Sequence, residues 1–211
     1  MKKRILCFGD SNTWGYDAAS GGRYPESIRW TKRLQTLLGD NYEIIEEGLC
    51  GRTTVFEDPL APGLSGLSYL GPCLMSHSPI DYLILMLGTN DCAARFSATA
   101  KNIADGMRRL LLCSCQTPAW RNQEPAVMII APFALDEAQM DSSYLADTGT
   151  GISEKSKALV GELRLLAAQT HCDFLDLTSV TQPGSIDHVH LDAAGHKALA
   201  EALYAYFIKR K

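Results

Sequence analysis

The chain is 211 residues long, 46% hydrophobic and 21% charged, with a formal net charge of -4. That length can bury a substantial core, and the mild acidity gives no electrostatic reason to expect a nucleic-acid partner. Seven cysteines, odd in number and without C-x-x-C pairs, suggest neither a disulfide framework nor a zinc site, so reduced thiols and a cytoplasmic location are expected.

The first apolar run, Arg4–Phe8, has strand character and stops at Gly9-Asp10-Ser11-Asn12. The basic residues before it resemble the start of a secretory signal, but the run ends too soon. No apolar stretch approaches the roughly 20 residues of a membrane span, so no membrane partner is expected. Two readings fit the strand's end. Asp10 or Ser11 caps a following helix, or Ser11 is a nucleophile presented at the strand's carboxyl end. A polar connection, Tyr16–Ser27, leads to a helix marked by Trp30, Leu34, Leu37 and Leu38 and ended by Gly39.

The second strand, Tyr42–Ile45, runs towards GLCGRTT (Gly48 to Thr54), where two glycines let the backbone approach a ligand. A long connection, Thr53–Pro72, precedes a third strand, Tyr82–Leu87, which delivers Gly88-Thr89-Asn90-Asp91. Ile103, Met107, Leu110 and Leu111 mark the next helix. Strand Ala126–Ala131, connection Pro132–Gly151 and a helix over Ala158–Ala168 follow. Strand Asp173–Leu177 precedes SIDHVHLDAAGH (Ser185 to His196) and a last helix marked by Leu199, Leu203, Tyr206 and Phe207. The basic clusters Lys3-Arg4 and Lys209-Arg210-Lys211 read as solvated ends.

Five near-continuous apolar strands alternating with helices predict a parallel sheet covered on both faces, a three-layer α/β/α fold. With no linker, repeat or low-complexity segment, residues 1–211 read as one domain. In such sheets the ligand crevice lies at the carboxyl ends of the strands. Four loops would there assemble a hydroxyl, glycine N–H groups, a carboxamide and an Asp–His pair. Acyl transfer needs this inventory. A serine hydroxyl needs an imidazole to take its proton, the imidazole needs an acid partner, and the oxyanion needs preorganised donors.

Asp187 and His190, three residues apart, can project together. His188 is the rival base, and the three-residue spacing from Asp187 favours His190. Each candidate also has a structural explanation: Asn90 and Asp91 can cap turns or helices, Gly51 can serve tight backbone geometry, and His190 can be a surface histidine. A metal held by Asp187, His188, His190, Asp192 and His196 is not expected, because H-x-H places adjacent side chains awkwardly in a helix.

FGDSNTWG resembles the first block of the GDSL, or SGNH, hydrolase superfamily; GLCGRTT resembles the second, GTND the third and DHVH the D-x-x-H of the last. IRW, EEGLCGRTT, DP, SYL and MLGTND are most similar to its bacterial arylesterase/acyltransferase branch. The resemblance implies a five-stranded flavodoxin-like sheet and a serine esterase without cofactor. It casts Ser11 as nucleophile, His190 as base and Asp187 as its orienting acid. The oxyanion donors would be the N–H groups of Ser11 and Gly51 and the amide of Asn90, with Asp10 and Asp91 in support. The Cys50-Gly51 pair departs from the Ala or Ser frequent in that branch, a change a backbone donor tolerates.

A small ester with a short, acetyl-type acyl group is the expected substrate, with acyl transfer to another alcohol as a second outcome. Deacetylation of sugars is the alternative activity. By analogy a homo-oligomer is expected. Trp14, Tyr16, Tyr24, Phe56 and Phe133 are candidate pocket walls. A non-catalytic binding module would have lost members of the four blocks. A nucleotide or flavin site would need a Gly-rich phosphate loop, which GDSNTWG lacks.

Overall fold

The computed structural model describes residues 1–209. In chain order the elements are β1 (Lys3–Gly9), α1 (Ser11–Trp14), a small hairpin of β2 (Tyr16–Asp17) and β3 (Gly22–Arg23), α2 (Trp30–Leu38), β4 (Tyr42–Gly48), α3 (Gly66–Ser76), β5 (Tyr82–Met86), α4 (Ala100–Gln116), β6 (Val127–Ala131), α5 (Ser142–Thr148), α6 (Ile152–Thr170), β7 (Asp173–Asp176) and α7 (Ala193–Lys209). Of the C-terminal basic cluster, Arg210 and Lys211 lie outside the described residues.

β1, β4, β5, β6 and β7 form a parallel five-stranded sheet in the order β4-β1-β5-β6-β7. This order has its switch point between β1 and β5, where the chain reverses its direction of growth across the sheet. β5 and β6 are buried throughout and β1 from Ile5 onward, which is why they read as unbroken apolar runs. α2 packs with α7, while α3, α4 and α6 pack together. Right-handed crossovers on either side of the switch point place these two groups on opposite faces. No helix among the described residues is long and apolar enough to cross a membrane.

β4 runs beyond the expected Ile45 to Gly48, its register with β1 carrying through Gly9↔Gly48. As an edge strand it tolerates three glutamates, each tied to a partner: Glu43 to Arg4, Glu46 to Arg29 and Glu47 to His77. Arg4 is therefore no freely solvated end. Its guanidinium also donates to the His77 carbonyl at 2.6 Å.

The connections expected over Thr53–Pro72 and Pro132–Gly151 each contain part or all of a helix. α3 carries Gly66, Gly71 and Pro72, which disguise it in the sequence. Its buried face of Leu70, Cys73 and Leu74 offsets an interior proline that costs about 3 kcal/mol. α5 is capped by Asp141, which accepts the Ser143 N–H at 2.8 Å.

Candidate active site

The turn after β1 carries the expected cap and sets Ser11 at the carboxyl end of the strand. A Cβ on Gly9 would lie 2.1 Å from Thr13 Oγ1 and 2.8 Å from the Met86 carbonyl, so only glycine permits this bend. Asp10 caps α1, its Oδ1 accepting the Asn12 N–H at 3.0 Å. Ser11 is the first helical residue and lies almost buried at the sheet's carboxyl edge.

The loop before α7 brings its imidazole to that serine. His190 Nε2 lies 2.8 Å from Ser11 Oγ, and His190 Nδ1 lies 2.6 Å from Asp187 Oδ2. Asp187 Oδ1 accepts the N–H groups of Val189 and His190, both at 2.9 Å. Burial would raise this carboxyl, but the His190 contacts and the two backbone donors outweigh it and hold Asp187 below the ordinary range. An ionised Asp187 keeps the imidazole proton on Nδ1 and leaves Nε2 to accept from Ser11. His188 adopts φ +58 between them, and this left-handed residue closes the loop that aims Asp187 and His190 at one point.

Gly51 and Asn90 line one crevice, whose wall includes Tyr144 from α5. Asn90 Nδ2 donates to the Arg52 carbonyl at 3.0 Å, which leaves the second N–H of the amide for a ligand. Gly51 has φ +80, and a Cβ there would lie 2.9 Å from Leu64 Cδ1. Asp91 ties the third block to the second: its Oδ1 accepts both the N–H, at 2.9 Å, and the hydroxyl of Thr54. Burial pushes Asp10 and Asp91 each up to about 6.

The crevice, about 360 Å³, has Leu64, Phe96 and Tyr144 on its apolar walls and Arg95 at a polar corner. Arg95 pairs with Asp147 at 3.0 Å and Asp58 at 3.5 Å. A larger cavity of about 490 Å³ lies at the opposite end of the strands, beside Asp81, Arg108 and Asp173, and touches none of these residues.

The expected aromatic walls separate. Tyr16 stacks obliquely on the His190 ring at 4.5 Å, and Phe56 leans on Phe96 at 5.7 Å. Trp14 lies under the Arg23 guanidinium, and Tyr24 meets His196 edge-on. Phe133 is a correction: it is only 2% exposed and belongs to the hydrophobic core, because the segment after β6 turns inward.

The family model for GDSL-like lipases and acylhydrolases matches residues 7–198. The chain belongs to this family. It is an ester hydrolase, acting on small ester substrates. Among solved structures, the M. smegmatis aryl esterase is 36% identical, with a TM-score of 0.89 over 98% of this chain and 99% of that one. Est24, a carbohydrate acetylesterase from Sinorhizobium meliloti, is 35% identical, with a TM-score of 0.92 over 100% of both chains. No curated protein matches the chain.

In this GDSL hydrolase several site residues escape a reading of the sequence. Asn12 Oδ1 accepts the Leu191 N–H at 2.8 Å, stapling the first block to the loop that carries His190. Tyr144, from α5, stands edge-on to the imidazole at 6.1 Å. His196 is fully buried, accepts the Trp30 N–H at 3.2 Å through Nδ1, and so caps α2 from another helix. Burial pushes its pKa down to about 4, keeping it neutral. Only the N of GDSN was a local signal for any of them.

Proposed function

We propose that the enzyme cleaves short-chain, acetyl-type esters through an acyl-enzyme on Ser11. The observation that carries this reading is the continuous relay Asp187–His190–Ser11, with links of 2.6 and 2.8 Å. Ser11 Oγ attacks the ester carbonyl while His190 Nε2 takes its proton. The tetrahedral oxyanion is held by the N–H groups of Ser11 and Gly51 and the free N–H of Asn90. His190 returns the proton to the leaving alkoxide. Water, activated by the same imidazole, then releases the acid. An alcohol in place of water gives acyl transfer. Asp10 and Asp91 hold the turns beneath Ser11 and Asn90.

The small crevice lined by Gly51 and Asn90, about 360 Å³, favours an acetyl-sized group. The reading takes residues 1–211 as one cytoplasmic hydrolase domain, in keeping with its contiguous core and free cysteines. Deacetylation of sugars is a second reading, favoured by the charged Asp58–Arg95–Asp147 corner, which offers partners for hydroxyl groups. Relative turnover of acetylated xylose and phenyl acetate separates the two.

The deciding experiment is intact-protein mass after brief exposure to an alkyl fluorophosphonate. A single adduct is expected in the wild type, none in Ser11→Ala and a much slower one in His190→Ala. An unlabelled wild type, or a labelled Ser11→Ala, overturns the assignment.

A further inference from the structure

A second convergence of reactive side chains lies away from Ser11, where α3 passes the edge strand β4. Among the described residues, one group of three His, Cys or carboxylate side chains brings its ligand atoms within 4.8 Å of one another: Glu47, Cys73 and His77. Cys73 and His77 are one helical turn apart at the end of α3 and share a face. Glu47 meets them from β4, its Oε1 2.7 Å from His77 Nε2. We infer that this thiol, imidazole and carboxylate form a binding site for a divalent zinc-type cation, with a fourth position left to water.

The donor set decides the class of ion. Thiolate with imidazole selects zinc-like metals over calcium or magnesium, which take oxygen ligands only. Tetrahedral zinc, with bonds of about 2.0–2.3 Å, sets its ligand atoms roughly 3.5 Å apart, so the group needs only sub-ångström to ångström adjustments. The Glu47 and His77 side chains are 18% and 28% exposed and supply the entry path, with Cys73 buried behind them.

The neighbouring cation is Arg52. Its guanidinium stacks on Phe8 at 4.2 Å and Tyr69 at 5.5 Å, and its Nη1 donates to the main-chain carbonyls of Gly9 and Glu47, which holds it to the backbone. On binding, the Cys73 S–H bond breaks, a metal–sulfur bond forms and the proton leaves to solvent. The proton that a neutral His77 ring donates from Nε2 to Glu47 passes through solvent to Nδ1, so that Nε2 presents its lone pair to the metal. Glu47 exchanges that hydrogen bond for a bond to the metal. The ion would clamp α3 to the edge strand and takes no part in the Ser11 relay.

The test is titration of the purified enzyme with Co²⁺, followed by displacement with Zn²⁺. The expected result is saturable binding of one Co²⁺ per chain with a near-ultraviolet thiolate-to-cobalt charge-transfer band, and a thermal midpoint raised by Zn²⁺. Cys73→Ser should lose the band, and His77→Gln should weaken binding by about tenfold or more. Unchanged ester turnover in both metal-free variants reports an intact fold. A wild type without saturable binding or without the charge-transfer band overturns the site, as does a band that survives Cys73→Ser.

Discussion

At the scale of single residues, the chemistry rests on a few short contacts whose loss has distinct signatures. Ser11→Ala should abolish ester turnover while circular dichroism and thermal midpoint stay near wild type. Residual turnover above about a thousandth of the wild-type rate would remove Ser11 from its role. Asn90→Ala should lower kcat by about 10²–10³ with little change in KM, because the oxyanion exists only after attack; steady-state kinetics with p-nitrophenyl acetate would read this. Asn12→Ala addresses the staple between the two ends of the chain. Without an acceptor for the Leu191 N–H, the loop carrying His190 loosens. A fall in kcat about tenfold or more, with normal KM, is expected. Ser11, Asn90, Asp187 and His190 stood out as candidates in the sequence because each stands in a short motif. Asn12 did not, since its partner lies 179 residues away.

At the scale of elements, the strands announced themselves where both faces are covered and blurred at the edge, where Glu43, Glu46 and Glu47 interrupt the apolar pattern of β4. α3 was hidden for a related reason. Its glycines and Pro72 argue locally against a helix, and only the buried face of Leu70, Cys73 and Leu74 against its neighbours decides otherwise. α2 shows the same dependence on tertiary contacts. Its N-cap residue Arg29 offers no side-chain hydrogen bond, and the acceptor for the Trp30 N–H comes instead from His196 in α7. His196→Leu, similar in bulk but without an acceptor, should therefore cost about 1–3 kcal/mol in urea unfolding. A cost indistinguishable from zero would mean that the α2–α7 contact does not depend on this bond.

At the scale of the whole molecule, burial of two carboxylates behind the crevice links stability to pH. Asp10 and Asp91 are raised from 3.8 to about 6 chiefly by burial, Asp10 adding its charge to the field at Asp91. The folded state thus binds these protons more tightly than the unfolded one. The resulting stability is full below about pH 3.8 and is lost as pH rises through about 6. Asp187, held low, has the opposite sign: its contribution is present above the ordinary carboxylate range and lost on acidification. Asp91→Asn keeps the Oδ1 acceptor for Thr54 and removes the buried charge. Its stability relative to wild type should therefore be higher at pH 8 than at pH 4, by up to about 3 kcal/mol in denaturant unfolding. Equal differences at the two pH values would contradict a charge effect.

By itself the sequence determined the α/β architecture, the candidate residues at the strand ends and the family, because apolar periodicity and contiguous motifs are local properties of the chain. Tertiary structure alone set the distance and aim of the His190–Ser11 contact, through a left-handed turn at His188 that shapes the loop. It also sent Phe133 to the core and brought Asn12, Tyr144 and His196 to their partners. Those outcomes depend on the packing of elements far apart in the chain, and no window of residues contains them.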